Sequence, residues 1–202
     1  MPRAAPVTTQ ILPFILLPGR PFHRWYMKGI KGIALPLLAW AVLTSAASPT
    51  KPPEFTHHHD SDWINSPPLT LAALKGKVVL VEFWAFECVN CLNSHAWLEA
   101  LERDKSAAGL VIIGVHRPEL PAERSPTAVR RAVERLAIHY PVMIDGDSSY
   151  WDALDNHYWP AFYLIGRDGL LYGSVAGEMH VGEEHATKVE AAIDLLLKAP
   201  AS

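Results

Sequence analysis

A strand-like apolar run that leads directly into a pair of cysteines is the feature of this sequence that most limits its fold. The run from Val78 to Trp84 is rich in valine and carries one acidic residue, which is typical of a central strand buried on both faces. Cys88 follows a short loop, and from Cys91 onward apolar residues recur at helical spacing. The pattern predicts a strand, a loop and a helix, with both cysteines at the beginning of the helix.

The rest of the chain continues this alternation of strands and helices. Residues 110–115 form a second buried-strand pattern, and the intervening helix would serve as the crossover between two parallel strands. Asp168 and Gly169 lie between two apolar runs and mark a hairpin turn. The order of elements predicts an α/β sandwich with a mixed central sheet and helices on both faces. The other predicted elements are helices at 127–139, 149–154 and 183–198 and strands at 140–145, 161–165 and 170–175.

The first 47 residues have the pattern of an export signal. Two lysines within residues 27–32 precede the apolar run 33–47, which is shorter than the roughly 17 to 25 residues of a membrane-spanning helix and ends in small residues. We therefore predict a signal peptide region at 1–47, with translation beginning at Met27 and cleavage after Ala47. An uncleaved N-terminal anchor is the alternative. The mature protein would be periplasmic or otherwise exported, where disulfides persist.

Residues 48–68 are predicted to be a linker, because they carry five prolines and no apolar periodicity. The tract His57, His58 and His59 could bind a divalent cation weakly, but neighbouring residues of an extended chain point in different directions and form no preorganised site. The folded domain is then expected to span residues 69–202.

Composition narrows the possible functions. Half of the residues are hydrophobic, so the chain can form a packed core. The formal net charge is -3 and no basic cluster occurs in the sequence, so nucleic acid is not an expected partner. No cofactor is expected either.

The two cysteines, the only ones in the chain, admit three interpretations. A structural staple is disfavoured, because a disulfide that closes so short a loop stabilises a protein little. A copper or zinc site needs about four ligands, of which His95 would be a third and His116 or His180 a fourth. A redox dithiol needs only the pair itself.

The dithiol interpretation follows from the position of the pair at a helix start. Cysteines three residues apart there lie on one face and within disulfide reach. The free N–H groups and the dipole at the helix N-terminus would stabilise a thiolate at Cys88, which is the expected nucleophile. Cys91 would then be the resolving thiol. A copper- or zinc-binding metallochaperone that uses the same cysteines and a histidine remains the alternative.

Three segments carry a resemblance to a known family. Residues 82–91, Glu-Phe-Trp-Ala-Phe-Glu-Cys-Val-Asn-Cys, resemble the active-site segment of thioredoxins. With Gly-Val-His-Arg-Pro-Glu at 114–119 and Tyr-Trp-Pro-Ala-Phe-Tyr-Leu-Ile at 158–165, the chain is similar to the exported TlpA-like group, and most similar to the C-terminal thioredoxin domain of DipZ-type cytochrome c biogenesis proteins. The resemblance covers about residues 62–198. It implies a thioredoxin-like fold and thiol–disulfide oxidoreductase activity.

The resemblance also implies roles for residues outside the cysteine pair. Pro160 corresponds to the cis-proline that faces the dithiol, and the backbone of Trp159 would pair with an extended substrate segment. Glu82 falls where thioredoxins carry a buried acid, and burial should raise its pKa toward neutrality and suit it to accept a proton from Cys91. An apolar rim for the substrate is expected from Trp84, Phe86 and Tyr158, with core packing as the alternative for the first two.

Two departures from thioredoxins affect the expected redox direction. Glu87 stands where thioredoxin has tryptophan, and its negative charge would disfavour the Cys88 thiolate. The dipeptide Val89-Asn90 lacks the histidine of strongly oxidising members. We therefore predict a monomeric reductase of protein disulfides rather than an oxidant. Its electron donor would be a separate membrane protein, and cytochrome c maturation is one process that the resemblance implies.

Overall fold

The computed structural model of the protein describes residues 48–200, which contain a six-stranded mixed sheet. The strands lie in the order β1-β4-β3-β2-β5-β6. The strands are β1 (Trp63–Ile64), β2 (Val78–Trp84), β3 (Leu110–His116), β4 (Val142–Ile144), β5 (Ala161–Ile165) and β6 (Leu171–Ala176), and the helices are α1 (Val89–Lys105), α2 (Pro126–Arg135), α3 (Ser149–Ala153) and α4 (Glu184–Lys198).

Strand β2 lies in the interior of the sheet, as its apolar run predicts. It pairs in parallel with β3 and antiparallel with β5, and all seven of its residues are buried. Strand β4 continues the parallel part of the sheet, while β1 and β6 are antiparallel edge strands. The loop to the cysteines therefore begins at the carboxyl end of a strand that is covered on both faces.

The alternation of side chains along β2 divides the hydrophobic core into two layers. Leu80 and Trp84 pack on one face, in the cluster that includes residues of α1, α2 and α4. Val79, Val81 and Phe83 point to the other face, in the cluster that includes α3. Because side chains of a strand alternate between faces, a single apolar strand can support both layers. The predicted α/β sandwich with a mixed sheet and helices on both faces is confirmed.

The segment 48–68 differs from the predicted linker. Phe55 is fully buried, and its ring lies 5.6 Å from that of Trp63 and 5.2 Å from that of Tyr150. Trp63 itself is part of β1, which pairs with β4, and Thr50 forms an isolated bridge with Leu171. The prediction of a tether here is wrong, because two aromatic residues anchor the segment although its prolines remove any periodic pattern. The predicted signal peptide region lies outside the described residues.

Helix α2 is shorter than predicted. It ends at Arg135 instead of residue 139, and Ala137 has a left-handed backbone with φ of 52°. Beyond this turn Ile138 returns to the core, where the Asn65 side chain donates hydrogen bonds to the carbonyls of Ile138 and Tyr140 at 2.8 and 3.0 Å. Ile138 and Tyr140 continue the apolar spacing of α2, although the helix has already ended. They are buried because the chain reverses at Ala137 and returns to the core. Within residues 48–200, every helix is too short or too polar to cross a membrane.

Candidate active site

The two cysteines lie at the N-terminal end of α1, where the sequence predicts them. Cys88 is the N-cap residue, with an extended backbone, and Cys91 lies in the first helical turn. Their sulfur atoms form a disulfide, and the Cα atoms are 5.3 Å apart. The Cys91 amide also points at Cys88 Sγ, across 3.3 Å. The end of the helix therefore directs an unpaired N–H group at the sulfur that would carry negative charge in the reduced protein.

The two sulfur-bearing residues differ in their access to solvent. Cys88 is 7% exposed and Cys91 is 3% exposed. The residues beside Cys88 are open to solvent, and Val89 is 67% exposed. Cys88 is therefore the more accessible of the two, as expected for an attacking thiol with Cys91 as its resolving partner.

Glu82 is buried beneath this loop on β2. It is 2% exposed, and desolvation raises the pKa of its carboxyl to about 8, although a hydrogen bond from the Tyr140 hydroxyl at 3.2 Å lowers it in part. Even-numbered residues of β2 face the same core layer that contains both cysteines. The site therefore contains a carboxyl group that can take up or release a proton near neutral pH.

Gly114 makes room for this arrangement on the neighbouring strand. It is the register partner of Glu82 on β3. A Cβ atom at this position would lie 3.0 Å from Trp84 Nε1 and 3.1 Å from a ring carbon of Tyr140. The missing side chain thus lets the indole and the phenol converge next to the Glu82 position.

The peptide bond between Trp159 and Pro160 is cis. Pro160 is buried and directly precedes β5, whose first residue, Ala161, is the register partner of Phe83. Pro160 therefore lies at the end of the sheet where β2 leads into the cysteine loop. Trp159 is half-buried, and its indole N–H donates to the carbonyl of Arg117 at 3.1 Å.

The predicted apolar rim is only partly present. Tyr158 is 38% exposed, but Trp84 and Phe86 are 2% and 7% exposed and belong to the core. Both pack against His116: the Trp84 ring meets it edge-on at 5.1 Å and the Phe86 ring stacks on it at 5.4 Å. The assignment of Trp84 and Phe86 to a substrate-binding rim is therefore wrong, and the alternative of core packing is correct. Val89 and the partly exposed Leu92 supply exposed apolar surface instead.

Two buried polar residues lie next to the site, His116 and Glu123. The sequence suggested His116 only as a possible metal ligand and gave no role to Glu123. His116 is fully buried, and neither ring nitrogen has a hydrogen-bond partner. Burial lowers its pKa to about 4, with the charge of Glu123 acting in the opposite direction, so the imidazole is neutral at physiological pH. Glu123, also fully buried, accepts hydrogen bonds from the backbone N–H groups of Glu87, Glu119 and Leu120. An acid in a proline-containing loop gives no pattern that would reveal this role.

Two of the three histidines proposed for a metal site, His95 and His180, are engaged elsewhere. His95 Nε2 lies 2.8 Å from the carbonyl of Leu136, and His180 pairs with Glu178 at 2.6 Å. Among residues 48–200, no cluster of three metal-ligating side chains includes either cysteine; the cluster that exists consists of His57, Asp145 and Asp147. The geometry around the cysteines favours a dithiol over a metal centre.

Comparison with known proteins identifies the family. The Redoxin family model matches residues 52–193, which is most of the chain. The chain belongs to the Redoxin family. It has a thioredoxin-like fold and carries a Cys-x-x-Cys disulfide.

Individual relatives of this Redoxin-family protein agree with that assignment. The protein DipZ of Mycobacterium tuberculosis is 38% identical over 57% of the chain, but the matched part is only 17% of DipZ. The thiol-disulfide oxidoreductase YkuV of Bacillus subtilis is 27% identical over 62% of the chain and 82% of YkuV. A crystal structure of a putative thiol:disulfide interchange protein DsbE from Chlorobium tepidum superimposes with a TM-score of 0.61, covering 72% of this chain and 96% of that one at 19% identity. The chain thus spans about a sixth of DipZ and most of YkuV.

Proposed function

We propose that this protein is an exported reductase of protein disulfides in which Cys88 attacks and Cys91 resolves. The observation that carries the proposal is the position of Cys88: it caps α1, it is the more exposed of the two cysteines, and it forms a disulfide with Cys91 one turn into the helix. This arrangement supplies both a stabilised thiolate and an intramolecular partner.

The reaction transfers two electrons in two exchange steps. The Cys88 thiolate attacks one sulfur of a substrate disulfide, so that a mixed disulfide forms and the other substrate sulfur leaves as a thiolate. The Cys91 thiolate then attacks Cys88 Sγ, which forms the Cys88–Cys91 disulfide and releases the second substrate thiolate. The dithiol is oxidised and the substrate disulfide is reduced.

Glu82 serves the second step as proton acceptor for Cys91, directly or through water. Its buried carboxyl, with a pKa of about 8, suits this role because a general base works best when its pKa is near the operating pH. The position of Glu82 on the core layer that also contains Cys91 supports this role.

The substrate segment binds along the end of the sheet next to the disulfide. Trp159, which precedes the cis-proline Pro160, offers backbone groups to an extended chain, and Tyr158 offers apolar surface. Val89 and Leu92, which follow Cys88 and Cys91 in the chain, are exposed and add apolar surface.

The sequence and the relatives support a cellular setting for this reductase. The signal-like pattern at 1–47 supports export, and the similarity to DipZ supports cytochrome c maturation as one process. The electron donor is a separate membrane protein that reduces the Cys88–Cys91 disulfide. The protein acts as a monomer.

Insulin reduction and a glutathione redox titration, with metal analysis of the same sample, test the proposal. We expect turnover by the unaltered protein, none by Cys88→Ser, and an accumulating mixed disulfide with Cys91→Ser. Absence of exchange together with stoichiometric copper or zinc would favour a metallochaperone. A reduction potential near -120 mV, at the oxidising end of the family of such proteins, would contradict the reductase direction.

A further inference from the structure

Glu123 forms an unusual connection between a distant loop and the residue that precedes the nucleophile. It lies in the 3-10 turn Pro121–Arg124, after β3, and is fully buried. Its Oε1 accepts the backbone N–H of Glu87 at 2.8 Å, while its Oε2 accepts those of Glu119 and Leu120 at 2.8 and 2.7 Å. Three N–H donors on two oxygens are the arrangement that suits an ionised carboxylate.

We infer that Glu123 is a positioning residue for Cys88 and that its buried charge sets the reactivity of the Cys88 thiol. The inference rests on the proposed function of Cys88 as the attacking group. The hydrogen bond to the Glu87 N–H fixes the cysteine loop on the turn after β3. The same bond holds a negative charge close to the sulfur that must ionise.

Chain geometry limits how far this charge can be from Cys88. Oε1 lies 2.8 Å from the Glu87 nitrogen, and standard bond lengths put the Cys88 Cα within roughly 8 Å of Oε1. The Cys88 Sγ lies at most about 3 Å further from Oε1 than the Cα, so the two charges are within roughly 11 Å. This limit is close to the Debye length of about 8 Å at physiological ionic strength, and buried charges are screened less than exposed ones. The carboxylate therefore disfavours the Cys88 thiolate and opposes the helix dipole.

Glu87 and Glu123 differ in how strongly water screens their charges. The sequence suggests that Glu87 is the acid that moderates Cys88, because it is the adjacent residue. In the structure the Glu87 side chain is exposed, so its charge is screened by water, whereas the Glu123 carboxylate is fully buried. His116, which stacks on Phe86 in the same loop, already responds to the Glu123 charge, which raises its pKa against the larger effect of burial.

Other ionisable groups surround the cysteine loop and must be held constant in a test. His116 is neutral above pH 5, the pKa of Glu82 is about 8, and neither residue is changed in the variants. A comparison between variants at the same pH therefore isolates the charge that is removed. The ionisable groups on the surrounding elements are Glu82 on β2, His116 on β3, Glu87 before α1, Arg117 and Glu119 after β3, Tyr158 before β5, and Glu178 and His180 before α4.

The test measures the rate at which iodoacetamide alkylates Cys88 between pH 5 and 10, in full-length protein carrying Cys91→Ser. Glu123→Gln should raise the rate at pH 7 roughly three- to tenfold and move the profile to lower pH, because a nearby charge that opposes the thiolate is removed. Glu87→Gln is the matched control and should change the rate less than twofold. Glu123→Asp keeps the charge and should stay within twofold of the parent protein.

Each outcome supports or overturns the inference. A folded Glu123→Gln variant with an unchanged or slower profile overturns it. If Glu123→Gln does not fold, the Glu87→Gln variant is used to decide. A rise of more than threefold in its alkylation rate at pH 7 assigns the charge effect to Glu87 and overturns the inference. A change below twofold supports the inference. An unreactive Cys88 in the parent protein would instead refute the proposed function itself, so the two failures are distinguishable.

Discussion

The Tyr140 hydroxyl donates a hydrogen bond to Glu82 Oε2 across 3.2 Å, inside a core that leaves the carboxyl only 2% exposed. Burial raises the pKa of this carboxyl to about 8, and the hydrogen bond lowers it in part. One phenol thus adjusts the proton affinity of the group that we propose as the acceptor for Cys91.

Replacing Glu82 with glutamine should slow the resolution of the mixed disulfide roughly a hundredfold, since general bases contribute about that much or more. Quenched-flow analysis of a preformed mixed disulfide on Cys88 measures this step. The rate of attack by Cys88 serves as the internal control and should change much less. Equal resolution rates would remove Glu82 from the mechanism.

Tyr140→Phe should raise the pKa of Glu82 further, because it removes a hydrogen bond that favours the charged carboxylate. The pH profile of resolution then moves to higher pH, and the rate at pH 7 falls roughly three- to tenfold. Double variants resolve the cause: in a Glu82→Gln background the additional Tyr140→Phe change should have little further effect on the rate. A full additional loss there would mean that Tyr140 acts independently of Glu82.

Glu82 also makes stability depend on pH. Its pKa is about 8 in the folded protein against a usual value of 4.5, so the folded state binds more protons than the unfolded state between these values. The free energy of unfolding therefore falls as pH rises from about 4.5 through 8. Urea unfolding at several pH values should show Glu82→Gln gaining on the parent protein as pH rises. Parallel stability curves would argue against a raised pKa.

Gly114→Ala should destabilise the protein by about 1 to 3 kcal/mol through overpacking, because its Cβ would lie 3.0 Å from Trp84 Nε1 and 3.1 Å from a ring carbon of Tyr140. Gly146→Ala is a suitable control, since nothing lies within 4 Å of the corresponding Cβ position. Chemical denaturation of both variants measures the difference. Equal stabilities would show that the strands adjust at no cost.

Phe55→Ala should destabilise the protein by roughly 3 to 5 kcal/mol, the usual cost of removing a buried phenylalanine. A free tether would predict no effect. Val181→Ala, at a side chain that is 65% exposed, is the comparison and should stay within about 0.5 kcal/mol of the parent protein. Denaturant midpoints that coincide for Phe55→Ala and Val181→Ala would contradict the packing of the segment 48–68.

The sequence was most informative where one local pattern determined the structure. The apolar run 78–84 and the cysteines at a helix start predicted the central strand and the disulfide geometry, because period and spacing are local properties. Phe55 and Trp63 were missed because each is a single aromatic residue among prolines, and only the folded sheet shows what they contact. The sequence also did not show that Trp84 packs in the core instead of lining a substrate site. Its ring packs against His116, a residue distant in the chain, and only the folded structure shows that contact.

The contacts of Glu123 could not be predicted from the sequence. Its partners are backbone N–H groups, which every residue except proline has, so no residue type marks the interaction in the sequence. The burial of Glu82 could be predicted because it follows from the apolar pattern of its own strand. The contacts of a polar side chain with the backbone of another loop are visible only in the folded structure.

The unequal exposure of the two sulfur-bearing residues has a kinetic consequence. With 7% of Cys88 and 3% of Cys91 exposed, Cys88 is the more accessible point of entry to the disulfide for an outside thiol. A donor that reduces the protein and a substrate that is reduced by it must both react there, so they cannot be bound productively at once. Turnover then follows a ping-pong scheme, in which the donor reacts with the disulfide form and the substrate with the dithiol form, one after the other at Cys88.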